Sequence, residues 1–147
     1  MSRRVVVDTS TLVSAALRPG STPHQALLET LATCDLCASA ETLTELEQVL
    51  NREKFGRYLD KTSRQGFVAL IRHHAHLFNV QAADLDAVHP PCRDTGDNKF
   101  LALAAVASAG FLISSDDDLL VLHPWRGIPI VTPAGFLARC KGDEDAT

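Results

Sequence analysis

A chain of 147 residues, 46% of them hydrophobic, is long enough to bury one core without a disulfide framework or a zinc clasp. Its net charge of −4 is opposite in sign to the basic surface that usually marks a nucleic-acid binder. Met1-Ser2-Arg3-Arg4 leads into three valines, too short a run for a signal-peptide core or a membrane span, so the expected location is the cytoplasm, with no membrane association.

"RRVVVDTS" predicts a short buried strand closed by Asp8, followed by a helical turn through Leu12, Val13, Ala16 and Leu17. In "STPHQALLETLAT", Thr22 reads as an N-cap and Pro23 as the first helical residue. "DLCAS" is a second strand candidate. It carries Cys34 and Cys37, a CxxC without the matching second half that structural zinc needs, so both are expected as reduced thiols. From Glu41 to Arg52, residues Leu43, Leu46, Val49 and Leu50 share one helical stripe.

Arg52, Lys54, Arg57, Lys61 and Arg64 then form a local basic cluster with Phe55 and Tyr58 between them, which reads either as an RNA-binding surface or as a solvated helical one. A helix fits Ser63 to His76, with Phe67, Leu70, Ile71 and Leu77 inward, and would spread His73, His74 and His76 around its circumference. "LFNVQ" is a weaker strand. Pro90, Pro91 and Gly96 make "DAVHPPCRDTGD" the main irregular stretch.

Asp97 to Ala109 is almost wholly apolar and predicts a buried helix stopped by Gly110. "FLISS" and "IPIVT" are further strands, and Thr132-Pro133 opens a last helix. The alternation of strands and helices over short connections predicts an α/β/α sandwich with a mostly parallel central sheet. Residues 1–140 read as its single domain, and "KGDEDAT", 141–147, as a disordered tail.

In a parallel sheet, sites form beyond the carboxyl ends of the strands, and the acids fall there. Asp8 closes the first strand, Asp116 follows "FLISS", Asp94 and Asp97 open the helix before that strand, and Glu45 lies early in a helix after another. Each has a plainer reading. Asp94 and Asp97 can cap a helix, Glu45 can complete a capping box with Thr42, and Asp117 and Asp118 can be a polar turn. Asp8 is expected to have no helix end demanding it. Like charges about 4 Å apart repel by roughly 4 kcal/mol per pair at an effective dielectric near 20, so the group calls for a hard cation such as Mg²⁺ or Mn²⁺. Such ions activate water and steady a leaving phosphodiester oxygen. The chain has no GxSxG, Walker or GxGxxG motif, Ser10 stands where a haloacid-dehalogenase phosphatase has its second aspartate, and the late strand-end lysine of a phospho-receiver is missing.

"VVVDTSTLVSAAL", "TLTELEQVL", "RDTGDNKFLALA" and "LISSDDDLL", in this order over positions 5 to 122, resemble the successive acidic motifs of the PIN-domain nucleases. The last two are similar to those of bacterial, VapC-like toxin components of toxin–antitoxin pairs. The resemblance implies Mg²⁺- or Mn²⁺-dependent endoribonuclease activity, with Asp8, Glu45, Asp97 and Asp116 as catalytic and metal-holding acids and one or two ions. It makes Asp94 and Asp118 auxiliary and sets Thr9 and Ser10 beside Asp8 as supports, with Ser10 where relatives often carry Asn. Arg52, Lys54, Arg57, Lys61 and Lys99 are the expected RNA contacts. RNA, a small antitoxin protein and a homodimeric partner complete the expectation, and a non-catalytic PIN-like module that binds RNA or protein is the alternative.

Overall fold

The computed structural model describes residues 3–145, with side chains through residue 142. Its elements follow in the order β1 (Arg3–Val7), α1 (Thr9–Leu17), α2 (Thr22–Thr33), β2 (Cys34–Ala38), α3 (Ala40–Leu50), α4 (Lys61–His74), β3 (His76–Leu77), α5 (Ala82–Asp86), α6 (Asn98–Ala107), β4 (Phe111–Ile113), α7 (Asp117–Leu120), β5 (Ile130–Val131) and α8 (Pro133–Asp145). Short 3-10 turns at Glu53–Phe55 and Thr95–Asp97 precede α4 and α6. The strands make one sheet in the order β3-β2-β1-β4-β5, every pairing parallel.

β1 lies at the centre because its valines can be buried on both faces. Val5 and Val7 point into a core shared with α1, α2, α3, α4 and Phe136 of α8, while Val6 points into a second core with α6, Leu112, Leu119 and Trp125. Helices therefore cover both faces, giving an α/β/α sandwich. α6 is buried almost all round, with Leu101 through Ala104 without exposed surface, which is why its sequence lacks an amphipathic stripe.

Several local expectations shift. Ser21, not Thr22, caps α2, so Pro23 is its second residue; the Ser21 hydroxyl accepts from the His24 N–H. The box opening α3 is Ser39 with Thr42, which leaves Glu45 out of it. α6 starts at Asn98 and is closed by Ser108 at φ 52°, in the left-handed region, rather than by Gly110. Of "LFNVQ" only Leu77 joins β3, with His76, and Leu70 and Leu77 of the expected inner face are exposed. α8 carries helix through Asp145, past the expected boundary at 140, and residues 146–147 lie outside the described residues.

Among the described residues no helix is long and apolar enough to cross a membrane. The sheet order reverses direction at β1: β2 extends it on one side and β4, formed far later in the chain, on the other. The carboxyl ends of β1 and β4 are thus neighbours at a topological switch point.

Candidate functional site

Parallel pairing puts Val7 beside Ile113, so the residues that leave the two strands, Asp8 and Ser114, stand together. The Asp8 N–H donates to the Ile113 carbonyl at 3.1 Å, which continues the ladder one step and brings the aspartate into the fold. Asp8 is buried, 3% exposed. It does meet a helix end, contrary to the sequence reading: it caps α1, its Oδ1 accepting the Thr11 N–H at 3.0 Å and, more weakly, the Ser10 hydroxyl at 3.4 Å. Its other oxygen, Oδ2, accepts from the Ser114 hydroxyl. Burial pushes the Asp8 carboxyl above its ordinary range, and the bonds from Ser114, Thr11 and Ser10 pull the other way. Thr9 is buried beside it at the first position of α1.

Ser114 went unnoticed in the sequence because a serine after a strand reads as turn. It is fully buried, donates to Asp8 and accepts the Asp116 N–H at 2.9 Å, so one hydroxyl fixes both acids. Asp116 caps the short α7 through the Asp118 N–H, at 3.0 Å. The sequence signal was present: a small hydroxyl two residues before the acid on a strand that pairs with β1.

Asp94 and Asp97 divide the labour that their spacing leaves open. Asp94 is the cap, its Oδ1 accepting the Gly96 N–H at 3.0 Å. Asp97 stands at the N-terminus of α6 but makes no side-chain cap bond, so capping does not account for it. It is half-buried instead against the edge, where desolvation first, then a hydrogen bond with Asp116 and the charges of Asp94, Asp116 and Asp8, push its carboxyl up to about 7. Asp97, Asp116 and Asp8 therefore act on one another electrically, across three separate segments of chain.

Glu45 of α3 forms an ion pair with Lys99 of α6, two residues after Asp97, both side chains largely covered at 25% and 17% exposure. The lysine expected as a phosphate contact is thus engaged with a candidate ligand. The basic cluster also separates: Arg52, Lys54, Arg57 and Lys61 are exposed near the far end of α3, whereas Arg64 is buried and donates to the Leu50 carbonyl at 2.9 Å. Lys54, Phe55, Arg57 and Tyr58 line a concavity of about 550 Å³ with Leu17 of α1 and Arg18, which follows it. Since α1 starts at Asp8 and ends at Leu17, this concavity sits about 13 Å, one α1 length, from the acidic edge. His73 and His74 are exposed on α4. Cys37 is buried in the sheet, where desolvation raises its thiol to about 11, the behaviour of an inert core cysteine.

The donors at the edge are carboxylates and hydroxyls, hard oxygen ligands that match Mg²⁺ or Mn²⁺ in kind and not the softer sites of zinc. Among the described residues no three His, Cys, Asp or Glu side chains are set as joint ligands of one ion. One of the four principal acids already has a positive partner, Glu45, which holds the Lys99 ammonium.

The PIN domain family model matches residues 4–118. No curated protein matches the chain. Among solved structures, the chain is similar to FitAcB from Neisseria gonorrhoeae, at 20% identity and TM-score 0.59, over 88% of this chain and 98% of that one. It is similar to VapBC2 from Rickettsia felis, solved bound to a DNA fragment from the promoter, at 12% identity and TM-score 0.59, over 88% and 98%. VapC20 from Mycobacterium tuberculosis, described as a sarcin-ricin loop cleaving toxin, matches at 16% identity and TM-score 0.55, over 80% and 94%. At these identities the likeness is one of fold.

Proposed function

This chain belongs to the PIN domain family, and on that premise we propose that it is a metal-dependent endoribonuclease, the toxin of a toxin–antitoxin pair. The observation that carries the reading is the meeting of Asp8, Asp97 and Asp116 at the β1/β4 switch point, with Asp97 free of any capping duty. Asp8, Glu45, Asp97 and Asp116 would hold one or two Mg²⁺ or Mn²⁺ ions, with Asp94 and Asp118 auxiliary. When bound, the metal lowers the pKa of a water and neutralises charge on the scissile phosphate.

The chain's own residues set the stage for that chemistry. Ser114 and the α1 N-terminus fix both oxygens of Asp8, so its direction is set before any ligand arrives. Thr9 and Ser10 flank it. Asp97 gives up its proton near neutral pH, which makes the deprotonated edge available at the pH of a cell interior. Arg52, Lys54, Arg57 and Lys61 are assigned to the RNA backbone away from the scissile bond. A small antitoxin protein, homodimer formation and a cytoplasmic setting extend the same reading, supported by fold neighbours that include VapBC2 and FitAcB.

The test is cleavage of total cellular RNA by the purified chain with Mn²⁺, Mg²⁺ or chelator, beside folded Asp97→Asn. Discrete metal-dependent products from the wild type alone are expected. RNA retention without products, unchanged in Asp97→Asn, would sink the nuclease and leave a binding module.

A further inference from the structure

The Lys99–Glu45 pair is unusual in its place. Lys99 sits two residues after Asp97 in the first turn of α6, where the helix dipole disfavours a cation, and no residue of its own helix provides the compensating charge. Its partner comes from α3, 54 positions earlier. Both side chains are mostly withdrawn from water, so each is the other's nearest counter-charge. Beside them an open concavity of about 350 Å³, lined by Glu41, Thr44, Glu45, Gln48 and Lys99, gives the lysine room to leave its partner.

We propose that Lys99 is a tethered rival for the metal: its ammonium and a divalent cation compete for the Glu45 carboxylate, so the lysine sets the metal concentration at which the acidic edge fills. This inference rests on the metal-binding reading above. A divalent ion drawn in by Asp8, Asp97 and Asp116 gains Glu45 only when Lys99 swings into the adjoining concavity. The ion then binds more weakly than its oxygen donors alone would allow, because part of its attraction is spent on parting the pair. Lys99 acts through Glu45 and is a positioning residue.

Mn²⁺ binding to the full chain, followed by the electron paramagnetic resonance signal of the free ion, tests this without any substrate. Lys99→Gln removes the rival charge and is expected to bind Mn²⁺ at least about tenfold more tightly, because the ion then meets Glu45 without first parting the pair. Lys99→Arg, which keeps the charge, stays near wild type. In the Glu45→Gln background the Lys99→Gln gain largely disappears, as a double-mutant cycle requires if the lysine works through that carboxylate. Circular dichroism confirms that each variant is folded, and Lys99→Met serves should Lys99→Gln fail to fold. If the wild type binds Mn²⁺ and Lys99→Gln and Lys99→Met bind it equally or less tightly, the competition is overturned while the metal reading stands. If no variant binds Mn²⁺, the metal reading fails and takes the inference with it.

Discussion

The hydroxyl of Ser114 joins two strand ends by donating to Asp8 and accepting from the backbone of Asp116. Ser114→Ala leaves a buried carboxylate oxygen without its donor, which costs about 1–3 kcal/mol and pushes the Asp8 carboxyl further up. Urea unfolding is expected to show that loss, and Mn²⁺ affinity to fall roughly 10- to 100-fold, the usual effect of removing a group that orients a ligand. Unchanged metal affinity with lowered stability would make the serine a core residue only. At this scale the sequence was legible where an acid ended a strand, as at Asp8 and Asp116. It was opaque where one side chain served two segments: Asp8 both closes β1 and caps α1, and Glu45 meets a lysine that no local pattern ties to it.

Between elements, the α3–α4 hairpin depends on a residue whose chemistry is easily misread. Arg64 belongs by sequence to a basic cluster, yet its Nη1 donates to the Leu50 carbonyl, and at 3.5 Å to that of Arg52, so it closes the end of α3. Arg64→Ala is expected to destabilise the fold by about 2 kcal/mol in chemical denaturation while leaving RNA affinity unaltered, the reverse of the pattern expected for Arg57→Ala. The elements themselves followed from apolar periodicity and the alternation of strand with helix. Their limits did not, because Ser21 and Ser108 end or begin helices through hydrogen bonds and a left-handed backbone that composition leaves undecided. The two-residue β3 is fixed by pairing with Cys37 and Ala38, and its own sequence barely marks it.

For the whole molecule, the acidic edge ties stability to pH and, on the reading proposed above, to metal. Asp97 keeps its proton in the fold to about pH 7, whereas in the unfolded chain an aspartate releases it near pH 4. The folded state therefore binds more protons in between, and stability present below about pH 4 is lost as pH rises through about 7. Thermal unfolding with chelator is expected to show this decline, and Asp97→Asn to flatten it. A divalent ion selects the deprotonated edge, so stabilisation by Mn²⁺ should grow over the same interval, reaching about 2.7 kcal/mol at a hundredfold excess over its Kd. A melting temperature indifferent to Mn²⁺ above pH 7 would contradict this.

The bond from Ser114 to Asp8 spans 106 positions, so β1 can pair with β4 only after the intervening residues have been made. At about 5–20 residues per second, several seconds separate the emergence of the two halves of the edge. Until β4 is made, a growing chain carries Asp8 at the end of a β1 that can pair with β2 but lacks Ser114 and Asp116 beside it. On the reading proposed above, the nascent chain would gain its metal-holding edge only when β4 docks.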